Sequence, residues 1–164
     1  MTIIGIDPGT ATTGFGIINY DNGHKSEFSI LEFGVISTSK KDSDEQRLKI
    51  LFEDLSFLIK KYKPEKIGIE KLYFTNNQKT AMTVSQARGV ILLAAKLNDL
   101  DIDEFTPLQV KSTLCGYGKA DKKQVQFMIK QTFGLKQTPK PDDAADALAI
   151  ALCSAWHRPR KKLK

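Results

Sequence analysis

The chain opens on alternating and continuous apolar runs of strand length and then changes to helical spacing. TIIGID, residues 2–7, is a short apolar run that ends in the turn-forming stretch PGTATTG, which predicts a strand and a tight turn. FGIINYD and FSILEFGVIST lie on either side of Asn22-Gly23 and predict an antiparallel hairpin, with a connection longer than two residues. From Asp44 to Tyr62 the period changes. Leu48, Leu51, Phe52, Leu55, Leu58 and Ile59 fall on one helical face, and Lys63-Pro64 ends the helix. KIGIE, residues 66–70, reads as a fourth strand, and a helix of small and apolar residues runs from Thr80 to Leu97. IDEFTP supplies a fifth short strand, and PLQVKSTLCG and DKKQVQFMIKQTFG supply two helices. The second of these opens on a D-x-x-Q capping pattern. A last helix begins near Asp142 and is apolar nearly all round through ALAIALCSAW, as a helix buried on most sides would be. Three antiparallel strands followed by alternating helices and strands predict an α/β fold, a mixed five-stranded sheet with helices on both faces.

That last helix raises a chemical question. PDDAADALAI places three acids at the head of an apolar helix. Asp142 follows a proline, and capping the helix explains it. Asp143 falls in the first turn, where the helix dipole also welcomes an acid, so structural and functional readings both stand. Asp146 lies one turn further in, where a carboxylate is costly unless a cation or several donors meet it. Asp143 and Asp146 are three apart and share a face, which suggests half of a metal site. Asp7 and Glu70 end the first and fourth strands and supply the other half. In GID and GIE the residue two positions before the acid, on the same face, is glycine, which is expected to leave open space beside each carboxylate. Oxygen ligands without histidine or cysteine favour magnesium or manganese over zinc; His24 lies by the hairpin turn and His157 in the tail. A carboxylate cluster of this kind suits a nuclease or phosphotransfer site, in which two ions activate water and stabilise the leaving oxygen.

Charge adds a polyanion to the picture. The net charge is +6, but five of the basic residues lie in the final eight, HRPRKKLK, so the body of the chain is nearly balanced. The tail reads either as a solvated end or as a phosphate-binding arm. Lys122 and Lys123 stand in the first turn of a helix, where the dipole disfavours cations, so they are either solvated or placed to hold a phosphate together with backbone N–H groups. Lys111, on an apolar helix, can likewise snorkel or reach a phosphate. Tyr73 and Phe74 follow Glu70 in a loop, where an aromatic either anchors the loop or stacks on an unpaired base. Cys115 and Cys153 form no C-x-x-C pair and are expected to be reduced and buried. With 164 residues, no membrane-length apolar run and no leader pattern, the expectation is one domain over residues 1–156, a basic tail over 157–164, and a cytoplasmic protein.

Four separated motifs then converge. IIGIDPGTATTGFGII, IEKLYFTNNQKTAMTVSQARG, PLQVKSTLCGYGKADKKQVQFMI and PDDAADALAIAL, in this order and spacing, resemble RuvC-type Holliday junction resolvases, over about Thr2 to Leu152. The resemblance implies an RNase H-like fold, a homodimer, and magnesium-dependent nicking of two symmetry-related strands in a four-way DNA junction. It maps the family's acids onto Asp7, Glu70, Asp143 and Asp146, and its basic cleavage-site residues onto Lys111 and Lys122. Tyr73 matches a position where the family more usually has a base-contacting phenylalanine, and Asp143 one where some members have histidine. The helix over Thr80–Leu97 is the one that contributes to the family's dimer contact, and the family implies RuvA–RuvB as the branch-migration partner. Two other classes compete. One is a junction-binding protein without activity, whose binding would ignore magnesium; the other follows from GIDPGTATTG, which also resembles the phosphate loop of sugar kinases and actin-like ATPases, folds that need a second domain.

Overall fold

A computed structural model describes residues 1–21, 27–71 and 78–157. Within them the order is β1 (Thr2–Asp7), β2 (Thr12–Asp21), β3 (Glu27–Ser37), α1 (Asp44–Tyr62), β4 (Lys66–Glu70), α2 (Gln78–Leu97), β5 (Asp101–Phe105), α3 (Pro107–Cys115), α4 (Lys122–Thr132) and α5 (Asp142–Trp156). The sheet order is β3-β2-β1-β4-β5, with β1, β2 and β3 antiparallel and β1, β4 and β5 parallel. This is the expected RNase H-like mixed sheet. Asn22, Gly23 and His24 at the hairpin connection lie outside the described residues.

Side-chain alternation divides the core into two layers. Ile4, Ile6, Ile67 and Ile69 point to the face covered by α1 and α2, where they meet Leu51, Leu55 and Ile91. Ile3 and Ile18 point to the other face and pack with Leu148 and Leu152 of α5 and with Ile129 of α4. Helix α5 lies against the sheet under α3 and α4, and every residue from Ala144 to Ala155 except Asp146 is buried. The all-round apolar pattern has this cause.

Helix ends follow their local chemistry. Lys63 closes α1 in the left-handed conformation, with its N–H donating to the Ile59 carbonyl. Asp121 and Gln124 form the capping box expected at α4, and Thr106 and Gln109 form a second one at α3. Asp142 is a correction. Pro141 occupies the N-cap of α5 and no side chain caps it; Asp142 is already helical, and its carboxylate is engaged by lysines instead. Cys153 is buried, but Cys115 is only half-buried, because it ends α3 beside an open depression; both are free thiols.

The sheet glycines also differ from expectation. A Cβ on Gly5 would lie 2.1 Å from the Ala147 carbonyl oxygen, and one on Gly14 2.1 Å from that of Asp143. Gly16 meets Leu148 and Gly68 meets Ile150 and Ser154 in the same way, within about 3 Å. These glycines open no space; they form a seam along which the backbone of α5 approaches the sheet closely. Nothing larger fits, and the seam fixes where α5 sits along the strands.

Candidate metal and phosphate site

Gly5 of β1 is in register with Gly68 of β4, so Asp7 and Glu70, two residues further on, leave the carboxyl ends of adjacent parallel strands side by side. That end of a parallel pair is where α/β sheets bind ligands. The seam delivers α5 to the same point, and with it Asp146. Helix α4 brings Lys122 as its first residue, and α3 brings Lys111. Asp7, Glu70, Asp146, Lys111 and Lys122 line one cleft with a volume of about 250 Å³, walled on its apolar side by Pro107, Val110, Val125, Ala149 and Ile150.

Electrostatics at this point are unbalanced. Burial, then the charges of Glu70, Asp146 and Asp143, push the Asp7 carboxyl up to about 8 from an ordinary 3.8, against the pull of Lys122. Burial and then Asp146 raise Glu70 as well, while a hydrogen bond from the Asp7 carboxyl eases it. Asp146 is raised chiefly by burial and by the Asp142 and Asp143 charges, although Lys122 offsets part of this. Lys122 Nζ stands 3.3 Å from Asp146 Oδ2 and 3.2 Å from Asp142 Oδ2. Partial burial works against its charge, but the Asp146 and Asp142 carboxylates outweigh burial and hold its proton more tightly than usual. The cation that looked misplaced at a helix N-terminus is therefore answered by two acids from α5.

Several expected residues lie elsewhere. Asp143 does not line the cleft; its backbone lies against Gly14, while its charge still raises Asp7 and Asp146. Lys123 faces a separate, open depression with Tyr117, Phe127 and Met128. At the start of α4 the Asp121 carboxylate accepts the Gln124 N–H, so an acid occupies the helix end where an anion was expected to find free N–H groups. Tyr73 and Phe74 lie outside the described residues, as does the tail beyond His157. Sequence reasoning missed the partnership of Lys122 with Asp142, for which the paired acids of PDD were the available signal.

Among the described residues no three acids are gathered tightly enough to clasp an ion as they stand. A proton on Asp7 and the ammonium of Lys122 answer the negative charge instead. The donor set nevertheless fits a hard divalent cation: it is all carboxylate oxygen, partly desolvated, and carries like charges that raise one another's pKa.

The family model for crossover junction endodeoxyribonuclease RuvC matches residues 3–154. A relative of that name from Fusobacterium nucleatum is 54% identical over 152 residues, covering 93% of this chain and 78% of its own. The structure of Thermus thermophilus RuvC superposes with a TM-score of 0.88 at 32% identity, covering 94% of this chain and 93% of that one. The same protein in complex with Holliday junction substrate gives a TM-score of 0.86 at 29% identity, over 94% of this chain and 93% of that one. No helix among the described residues is long and apolar enough to cross a membrane.

Proposed function

The chain belongs to the RuvC family of crossover junction endodeoxyribonucleases, and from that premise we propose that it resolves four-way DNA junctions in recombination and repair by paired, symmetric, magnesium-dependent nicks. The observation that carries this reading is the meeting of Asp7, Glu70 and Asp146 with Lys111 and Lys122 in one cleft at the carboxyl ends of β1 and β4.

Asp7, Glu70 and Asp146 would hold the divalent ions, with Asp143 completing the set from the first turn of α5. When bound, two magnesium ions, or manganese in their place, supply an activated water and stabilise the leaving oxygen. Lys122 faces the scissile phosphate and offsets the charge that develops there. Lys111, which lines the same cleft, would contact a neighbouring backbone phosphate, Lys123 would extend the DNA contact outside the cleft, and the aromatics Tyr73 and Phe74 would contact the DNA bases. The apolar wall of Val110, Val125 and Ile150 excludes water from one side, which strengthens each electrostatic contact.

Two symmetric cuts require two sites related by a two-fold axis. Helix α2 offers the surface. Met82, Leu93 and Leu97 are 64%, 54% and 64% exposed, and Gly89 between them has nothing within 4 Å of an added Cβ. A second copy seated on this stripe would cover it and set the two clefts at a fixed separation. The RuvA–RuvB complex is the branch-migration partner this activity calls for, and a DNA substrate of this kind puts the protein in the cytoplasm.

The test is single-turnover cleavage of a mobile four-way junction beside a linear duplex of the same sequence, in magnesium and in EDTA. Paired nicks in the junction alone, and only with magnesium, are expected. Tight junction binding without cleavage in any metal would overturn the reading and leave a binding protein.

A further inference from the structure

Asp142 belongs to neither the sheet nor the core, yet three side chains converge on its carboxylate beside the cleft. Its Oδ2 lies 3.2 Å from Lys122 Nζ, and its Oδ1 accepts from Lys140 Nζ at 3.1 Å and from Gln126 Nε2 at 3.4 Å. It makes no cap to its own helix. Lys122 has a second partner, Asp146 at 3.3 Å, which is itself in the cleft. One ammonium thus bridges an acid inside the site and an acid just outside it.

We infer that Asp142 is a positioning residue for Lys122. The inference rests on the proposed role of Lys122 at the scissile phosphate. Asp146 is an unreliable anchor for that lysine, because its charge is the one a divalent ion would claim. Asp142 points its carboxylate at Lys122 from the rim of the cleft and is itself braced on its other oxygen by Lys140 and Gln126. It can hold the ammonium after Asp146 has turned to another cation. A long, flexible side chain with 51% exposure would otherwise be free to leave the cleft. Partners that orient metal ligands from just outside a site are worth about 10- to 100-fold in activity, and an effect of that order is expected of a residue that orients Lys122.

A double-mutant cycle tests this on the full-length protein with a four-way junction in magnesium. Asp142→Asn, nearly the same shape, is expected to lower the single-turnover rate about tenfold while leaving junction affinity and the melting temperature near wild type. Asp142→Glu should recover most of the loss. In a Lys122→Ala background, Asp142→Asn should cause no further slowing. In the metal-free protein, 13C relaxation of the Lys122 ε-methylene should show a more mobile side chain in Asp142→Asn than in wild type. A wild-type rate in Asp142→Asn, or a loss that multiplies in the double variant, would overturn the inference and leave the role of Lys122 intact. A wild-type rate in Lys122→Ala would overturn both, and so separates failure of the underlying reading from failure of this one.

Discussion

A lysine meets aspartate at each end of α5, and the two meetings are built to opposite rules. At the carboxyl end Lys66 Nζ lies 2.6 Å from Asp103 Oδ2, and the side chains are only 11% and 14% exposed. The Ser154 hydroxyl donates to the same carboxylate at 2.7 Å, and Lys66 also donates to the carbonyls of Ser154 and His157, both at 3.3 Å. One positive and one negative charge meet, and hydrogen bonds satisfy what remains. At the amino end Lys122 faces both Asp142 and Asp146, Lys140 meets Asp142 alone, and Asp7, Glu70 and Asp143 crowd three more carboxyl groups close by. Buried charge that is paired and hydrogen-bonded secures a fold, whereas a surplus of one sign is a cost that a ligand can relieve. The same helix therefore carries a closed structural clamp at one end and an open site at the other.

Substitutions should separate the two ends. Asp146→Asn is expected to cut the cleavage rate by at least about 10²–10³-fold while keeping junction binding and raising or preserving the melting temperature, read by single-turnover cleavage, gel shift and thermal denaturation. Lys66→Met should do the reverse. It strands Asp103, costs on the order of 3–5 kcal/mol, and should lower the melting temperature by roughly 10 °C, with cleavage below the transition little changed. Gly5→Ala tests the seam that joins the ends: a Cβ 2.1 Å from a backbone oxygen must displace α5. A loss of about 1–3 kcal/mol in thermal or denaturant unfolding is expected, and because the shift reaches Asp146, cleavage should fall as well.

The surplus charge also sets a pH dependence. Asp7 titrates near 8 in the folded protein and near 3.8 when unconstrained, so between these values the folded state holds a proton that the unfolded chain has lost. Stability of the metal-free protein must then fall as pH rises from about 4 to about 8. Melting temperatures measured across pH 5–8 should decline by roughly 10 °C from this cause, and the slope should flatten in Asp7→Asn. The smallest effect is expected from Ser154→Ala, which removes one donor from the clamp and should cost about 1 kcal/mol in denaturant unfolding without altering cleavage.

Periodicity and composition made much of this legible. The mixed sheet, the bounds of α1 and the capping box at Asp121 follow from local patterns, and the acids at the ends of β1 and β4 stand out because apolar strands seldom end in paired carboxylates. The glycines misled. Gly5 and Gly68 look like space beside a carboxylate when read within one strand, and only the packing of α5 shows them as a close approach of two backbones. Asp142 misled for a similar reason: a residue after proline at a helix start is locally a cap, but besides its near neighbour Lys140 its partners, Lys122 and Gln126, come from α4. Local rules read local partners well, while contacts between distant segments remain hidden until the segments are packed.

If the surplus of acids at the amino end of α5 is a cation site, a divalent ion must displace the proton on Asp7. Isothermal titration of manganese into the metal-free protein at pH 7.5, in two buffers of different ionisation enthalpy, tests it most directly. Binding with net proton release is expected, because the proton on Asp7 must leave as the ion enters, and both signals should be lost in Asp146→Asn. Binding without proton release that persists in Asp146→Asn, or no binding at all, would contradict it.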